Sequence, residues 1–361
     1  MNMNTTVEIL GLTREPAWLP WAVQYFFLIG LSTAAFFISL PGLVWRAPEW
    51  RGVSRRALLA ALVCGLTAPV ALLADLHQPG RFLNFYLHPN LQSWMAWGSF
   101  FIPLYVGGLL LYAWLSLRPL LDEMARQAEP GTRTAALYRT LAYGGHDNRR
   151  AIGAAAVLAG LGAALVLAYT GMEVMVVRSR PLWNTPLLPL LFAVTAFAGG
   201  LAMTSLFEAA GHHKGAAPLL NRWIGRTQWA VLALLALWLV SGVTGVSTAA
   251  ADALASLRGS MEWALNFAWV VAATLLTLWL SRKRPASLVL VALLALHGAW
   301  MVRWLLLMGG QGIPKMGAAF RGYFATFTPD SVLGIVGTAG LFLALSVLLT
   351  SFIRWDETAQ A

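Results

Sequence analysis

Apolar residues dominate nine stretches of the chain, at 19–44, 57–74, 94–117, 151–172, 186–207, 227–251, 263–280, 285–302 and 331–353, and none of these contains Asp, Glu, Lys or Arg. A bilayer core about 30 Å thick is crossed by roughly 20 helical residues at about 1.5 Å each, and tilt or snorkelling flanks extend the shorter runs. With no water in the bilayer to satisfy backbone N–H and C=O groups, such runs form helices. The pattern predicts an all-α polytopic membrane protein with nine spans. Pro69 and Pro103 fall inside two of them and are expected to mark kinks.

The segments between the runs give direction. Of the 25 Lys and Arg residues, 17 lie after the first, third, fifth and seventh runs or in the C-terminal tail, 7 lie in the alternate segments, and Arg303 stands just beyond the eighth run. Cytoplasmic loops accumulate Lys and Arg, so the N-terminus is expected to be periplasmic and the C-terminus cytoplasmic. The longest inner connection, 118–150, is expected to be a solvated hairpin. Glu8, Arg14 and Glu15 precede an apolar run too long for a secretory signal, so the N-terminus is expected to persist.

Composition agrees with this pattern and excludes other classes. Of the 361 residues, 58% are hydrophobic and 11% charged, and the mean hydropathy is +0.66. Soluble domains carry about 25% charged residues. The net charge of +10 is spread between apolar runs rather than gathered on one face, so no nucleic-acid partner is expected. Cys64, the one cysteine, lies within a run and reads as packing; it supplies no cage for zinc or an iron–sulfur cluster. A bis-histidine haem needs two imidazoles at matching depth. His77 and His88 share an outer segment, His146, His212 and His213 are on the inner side, and His297 is alone in a span, so no haem is expected in this chain. There is no phosphate-binding glycine loop, HExxH helix or nucleophile motif, and the glycines around Gly153, Gly160 and Gly162 read as helix-packing positions.

Polar residues of unusual placement collect towards the outer face. Gln24 and Tyr25 lie near the start of the first span, Asp75, His77 and Arg81 follow the second, Tyr169 and Glu173 close the fourth, and Arg303 follows the eighth. A quinol head group needs hydrogen-bond partners at two oxygens and an acceptor for its protons beside an apolar wall; Tyr, His and a partly desolvated Asp suit these tasks. Each has an alternative reading: Asp75 as an ion pair with Arg81, Tyr169 as an interfacial anchor, His77 as a polar loop residue. Trp18, Trp21, Trp94, Trp97 and Trp183 belong to the same layer, where indoles also serve as membrane anchors.

The motifs WLPWAVQYFFLIG (18–30), TAPVALLADLHQPGRF (67–82), SWMAWG (93–98) and YTGMEVMVVRSRPLW (169–183) resemble those of the NrfD and polysulfide-reductase membrane-subunit family. The likeness runs nearly end to end. The last of these motifs, with MVRWLLL and IPK, including Arg303 and Lys315, resembles the tetrathionate-reductase branch of that family. The resemblance implies a single integral domain over 1–361, with a quinol-binding four-helix bundle at 19–172, a second at 186–302 and a ninth helix at 331–353. It also implies a quinol site, menaquinol being the expected form, in which Tyr169 and Tyr25 hold family positions; by their placement Asp75 and His77 are expected beside them, with Trp21, Gln24, Arg81, Trp97, Glu173 and Arg303 in support. The related polysulfide enzymes have histidine at the Tyr25 position, and a neighbouring asparagine position is Ala22 here, so that either Gln24 replaces it or the head group binds differently.

The implied partners are a ferredoxin-like iron–sulfur subunit and a molybdopterin catalytic subunit on the periplasmic face of a bacterial inner membrane. The expected role is quinol oxidation that feeds anaerobic tetrathionate reduction. Polysulfide, thiosulfate, arsenate or nitrite as acceptor, or reverse flow to quinone, fits the same fold. A transporter using Asp75, Glu208 and Arg303, or an inert anchor, is the reading from a different class.

Overall fold

The structure is a computed structural model that describes residues 16–76, 78–144, 147–211, 215–283, 287–313 and 320–355. Its helices are α1 (Pro20–Leu43), α2 (Arg51–Asp75), α3 (Asn84–Leu87), α4 (Trp94–Gln127), α5 (Arg133–Leu141), α6 (Arg149–Met175), α7 (Leu187–Ala210), α8 (Ala217–Val243), α9 (Thr248–Leu257), α10 (Met261–Lys283), α11 (Leu288–Gly312) and α12 (Val332–Phe352). Among the described residues there is no strand, and nine helices are long and apolar enough to cross a membrane. Each overlaps one of the nine apolar runs, although α8 begins ten residues before the sixth run, 227–251, and ends eight residues before it does.

The helices outrun the charge-free stretches where polar flanks suit their ends. Asn148 caps α6 by accepting a hydrogen bond from the Ala151 N–H, at 3.1 Å, as short polar side chains do for the free amides of a first turn. α1 starts with Pro20 at its first position, where a missing N–H costs nothing. Its Leu19 N–H is taken by Asp75 Oδ1 at 2.9 Å, so the end of α2 caps the beginning of α1. α2 and α4 continue as helices through Pro69 and Pro103.

The 118–150 connection is more ordered than a solvated hairpin. α4 runs on to Gln127, and α5 starts at a Thr132 cap and ties to the far end of α12 through Tyr138 Oη, which donates to Phe352 O at 2.8 Å. α9 is a short helix between α8 and α10 that the apolar run 227–251 partly concealed.

α1 is the most enclosed span, with 78% of its apolar window buried, whereas α12 has only 11% and rides on the outside against α1 and α2. α1 packs along α2, and α4 along α6; α2 meets α4 only lightly. α7, α8, α10 and α11 pack in a closed cycle, and α1 also lies against α7 and α11. Ser32 and Ser39 of α1 hydrogen-bond the hydroxyls of Tyr105 and Tyr112 of α4, at 2.7 and 3.1 Å. Gly162 permits the tight α4–α6 crossing: a Cβ there would lie 2.7 Å from Tyr105 Cα. Gly153 faces open space, so the packing expectation holds for the first of these glycines and not the second.

Arg303 corrects the expected end of the eighth span. Rather than following the helix, it sits inside α11, is 1% exposed, and the helix continues to Gly312. A charged residue ended the apolar run, but the guanidinium is satisfied internally. Its Nε donates to Phe26 O, Nη1 to Thr195 Oγ1 and Ala299 O, and Nη2 to Phe192 O, at 3.0 to 3.2 Å. It also lies over the Phe192 ring at 5.2 Å. One side chain thus joins α1, α7 and α11.

Candidate functional site

Tyr25 and Tyr169 reach the same depth from different directions. Tyr25 lies five residues into α1, and Tyr169 six residues before the end of α6; at about 1.5 Å per residue both are roughly 8 to 9 Å below their helix ends. Asp75 closes α2, and Glu173 is one turn beyond Tyr169 on the same face of α6. All four are buried. Tyr25 and Tyr169 each feel the Glu173 carboxylate, which in turn feels Asp75, so the four form one electrostatic cluster at one end of α1, α2 and α6.

The Tyr25 hydroxyl is the exceptional member. It is fully buried yet makes no hydrogen bond that satisfies distance and angle. A buried hydroxyl left in that state costs about 1–3 kcal/mol. Such an orphaned group is suited to a ligand oxygen.

Gly98 on α4 forms the wall behind Tyr169. A Cβ at Gly98 would lie 2.5 Å from Tyr169 Cε2 and 2.6 Å from its hydroxyl oxygen, with Cζ closer still. The ring therefore occupies the space that any other residue at 98 would fill. SWMAWG carried this glycine in the sequence, but its role appears only when α4 and α6 are packed together.

The expected supporting residues divide. Gln24 turns away from the cluster: its Oε1 accepts from Trp300 Nε1 at 2.9 Å and its amide faces Ile335 O at 3.5 Å, linking α1 to α11 and α12. Trp21 packs against Gly334 of α12. Trp97 is 39% exposed, donates to Leu91 O at 3.0 Å and stacks on Phe101. Arg81 is exposed on a short 3-10 turn and forms no ion pair with Asp75. Arg303 serves the helix junction. His77 and Lys315 lie outside the described residues.

A layer of aromatic and amide contacts lies above the junction. Trp18 stacks on Trp183 at 5.2 Å, and its backbone N–H and C=O are both held by the Gln311 side-chain amide at 2.9 Å. Arg180 donates to Gln311 O and Ile313 O at 2.8 and 2.6 Å, and burial lowers its pKa from the usual arginine range. Among the described residues, no group of three or more His, Cys, Asp or Glu gathers as a metal site. His297 accepts a hydrogen bond from Trp269 Nε1 at 2.8 Å.

Residues 10–315 match the family model described as polysulphide reductase, NrfD. The chain belongs to the NrfD family. Similar members include a tetrathionate reductase subunit of Salmonella typhimurium, 33% identical over 95% of this chain and 94% of that protein. A selenate reductase subunit of Mesobacillus selenatarsenatis is 22% identical over all of this chain and 92% of that protein. A polysulfide reductase subunit of Wolinella succinogenes is 28% identical over 50% of this chain and 55% of that protein. NrfD membership and the nine apolar helices mark this chain as a multi-pass membrane protein and a relative of reductase-complex subunits.

Proposed function

We propose that the chain is the quinol-oxidising membrane subunit of a tetrathionate reductase complex. The carrying observation is the buried, unpaired Tyr25 hydroxyl beside Tyr169, Glu173 and Asp75 at one end of the helices. The hydroxyls of Tyr25 and Tyr169 hydrogen-bond the two ends of a quinol head group or one oxygen together, and Glu173 and Asp75 accept its protons. His77, between Asp75 and the outer surface in sequence, is proposed as the relay to solvent.

Entry runs through the lightly packed α2–α4 seam, which supports lateral access from the bilayer. Exposed Val70 and Leu73 on α2 and Phe100 on α4 offer an apolar bed for an isoprenoid tail. Oxidation of one quinol to quinone releases two protons and two electrons. The electrons pass to a ferredoxin-like iron–sulfur subunit and then to a molybdopterin subunit, where one tetrathionate and two electrons give two thiosulfates. With α1, α2, α4 and α6 as one four-helix bundle, α7, α8, α10 and α11 as the second and α12 added, the quinol site belongs to the first. The site end faces the periplasm of the inner membrane, where both partners dock, and menaquinol is the proposed donor.

The complex purified with its natural partners, supplied with a reduced menaquinol analogue, is expected to oxidise it in step with tetrathionate consumption. Oxidation coupled to selenate or polysulfide but not tetrathionate would keep the quinol reading and replace the acceptor. Failure to oxidise any quinol analogue while an artificial donor still drives the catalytic subunit would refute the reading.

A further inference from the structure

The second group of helices carries an unassigned basic cleft at the end opposite the tyrosines. On α8, Pro218, Asn221, Arg222, Gly225, Arg226 and Trp229 recur at three- and four-residue spacing and so share one face. With Ser281 and Arg282 from the end of α10 they line a cleft of about 390 Å³, open to the surface. Gly225 lets the two helices close beneath it, since a Cβ there would lie 2.9 Å from Ser281 Oγ. None of the lining residues is acidic. Arg222, Arg226 and Arg282 are exposed and form no ion pair among the described residues.

Two of the guanidiniums lie over indole rings. Arg226 lies over Trp223 at 4.6 Å and Arg282 over Trp229 at 5.3 Å. Stacking uses the face of a guanidinium and leaves its in-plane N–H donors free for an anion. The apolar surface then continues from the cleft along both helices. On α8 it passes through Trp229 to Leu237 and Val240, and on α10 through Trp279 to Leu275, all about half exposed. Positive donors at the helix ends above an apolar stripe match a phosphate head group with acyl chains beneath it.

We propose that this cleft binds the phosphate of an anionic phospholipid. The shared chemistry is a phosphate anion, and the apolar stripe selects the lipid over free phosphate. Basic pockets between spans on the C-terminal, predicted cytoplasmic side are where anionic head groups are met. The inference is independent of the redox reading.

The full complex, washed extensively in mild detergent and reconstituted in nanodiscs of phosphatidylcholine with or without phosphatidylglycerol, tests it. Mass spectrometry should find phosphatidylglycerol retained over phosphatidylcholine, and the melting temperature should rise with it. Each arginine is expected to contribute about fivefold to retention. The triple variant Arg222→Gln, Arg226→Gln, Arg282→Gln should lose both effects, whereas Arg258→Gln, outside the cleft, should keep them. Undiminished retention by the triple variant would overturn the proposal. An equal melting shift from inorganic phosphate alone would overturn the lipid assignment. If the triple variant does not assemble, the native complex decides: equal retention of the two lipids counts against the site.

Discussion

Gly98 holds Tyr169 in place by lacking a side chain: the Tyr169 hydroxyl oxygen lies 2.6 Å from where a Gly98 Cβ would be. This ties the position of the proposed quinol ligand to a residue on a different helix. Gly98→Ala must push the ring away or separate α4 from α6. The expected outcome is a loss of quinol-driven turnover of about tenfold or more, since 1.4 kcal/mol of misplacement already gives that factor. Turnover driven by an artificial donor to the catalytic subunit should be retained. Equal loss in both assays would assign Gly98 to assembly alone.

Arg303 predicts a stability effect. Arg303→Ala removes the hydrogen bonds that its guanidinium donates to Phe26 O, Thr195 Oγ1, Ala299 O and Phe192 O, and a hydrogen bond from a charged group contributes about 1.5–3 kcal/mol. Arg303→Lys should not rescue the loss, because a point ammonium lacks the fork that reaches α1 and α7 together. Thermal unfolding of the purified complex should show both variants melting below the native protein. A native melting curve for Arg303→Lys would show that charge alone suffices.

The Asp75 cap gives a separable expectation. Asp75→Asn keeps an oxygen for the Leu19 N–H but removes the charge, so α1 should remain capped at a cost of less than about 1 kcal/mol. Proton acceptance in the cluster, in contrast, loses a carboxylate. Turnover with quinol should fall more than melting temperature does. Equal and small effects on both would confine Asp75 to capping.

The spans were legible because nine charge-free runs leave little choice in a bilayer. The exception, Arg303, broke a run whose helix continues, since the carbonyls that solvate it come from α1, α7 and its own helix. The rotation of α1 was not legible. It is apolar all round, with no polar stripe to fix which side meets α6, so the helix pattern did not separate Gln24 from Tyr25, one residue and about 100° apart, and the family resemblance alone put Tyr25 first. In the structure only Tyr25 turns towards Tyr169 and Glu173, while Gln24 serves Trp300. Gly98 illustrates the same limit, because its meaning lies in the α6 residue that fills its space.

Orientation can be checked without any assay of activity. The 17 to 7 distribution of basic residues predicts that the connection between α2 and α4 is periplasmic and that between α4 and α6 is cytoplasmic. A reporter active only in the periplasm should work when fused at 83–92 and fail at 128–132. The reverse pattern would place the tyrosine cluster at the cytoplasmic face and exclude periplasmic docking over it.

Tyr169→Phe isolates the hydroxyl itself. The ring that fills the space at Gly98 is kept, so α4 and α6 should pack as before. What is lost is one hydrogen-bonding group beside Glu173 and the unpaired Tyr25 hydroxyl. A neutral hydrogen bond contributes about 0.5–1.5 kcal/mol, and more where charge develops in the transition state. Quinol-driven turnover should therefore drop roughly threefold to more than tenfold. If the hydroxyl binds the head group equally in ground and transition states, the loss should appear in KM; if the bond strengthens as the quinol gives up its protons, it should appear in kcat. The artificial donor bypasses the site and should be unaffected. Unchanged quinol kinetics in a fully assembled Tyr169→Phe complex would remove Tyr169 from the ligand set and leave Tyr25 and the carboxylates to bind the head group.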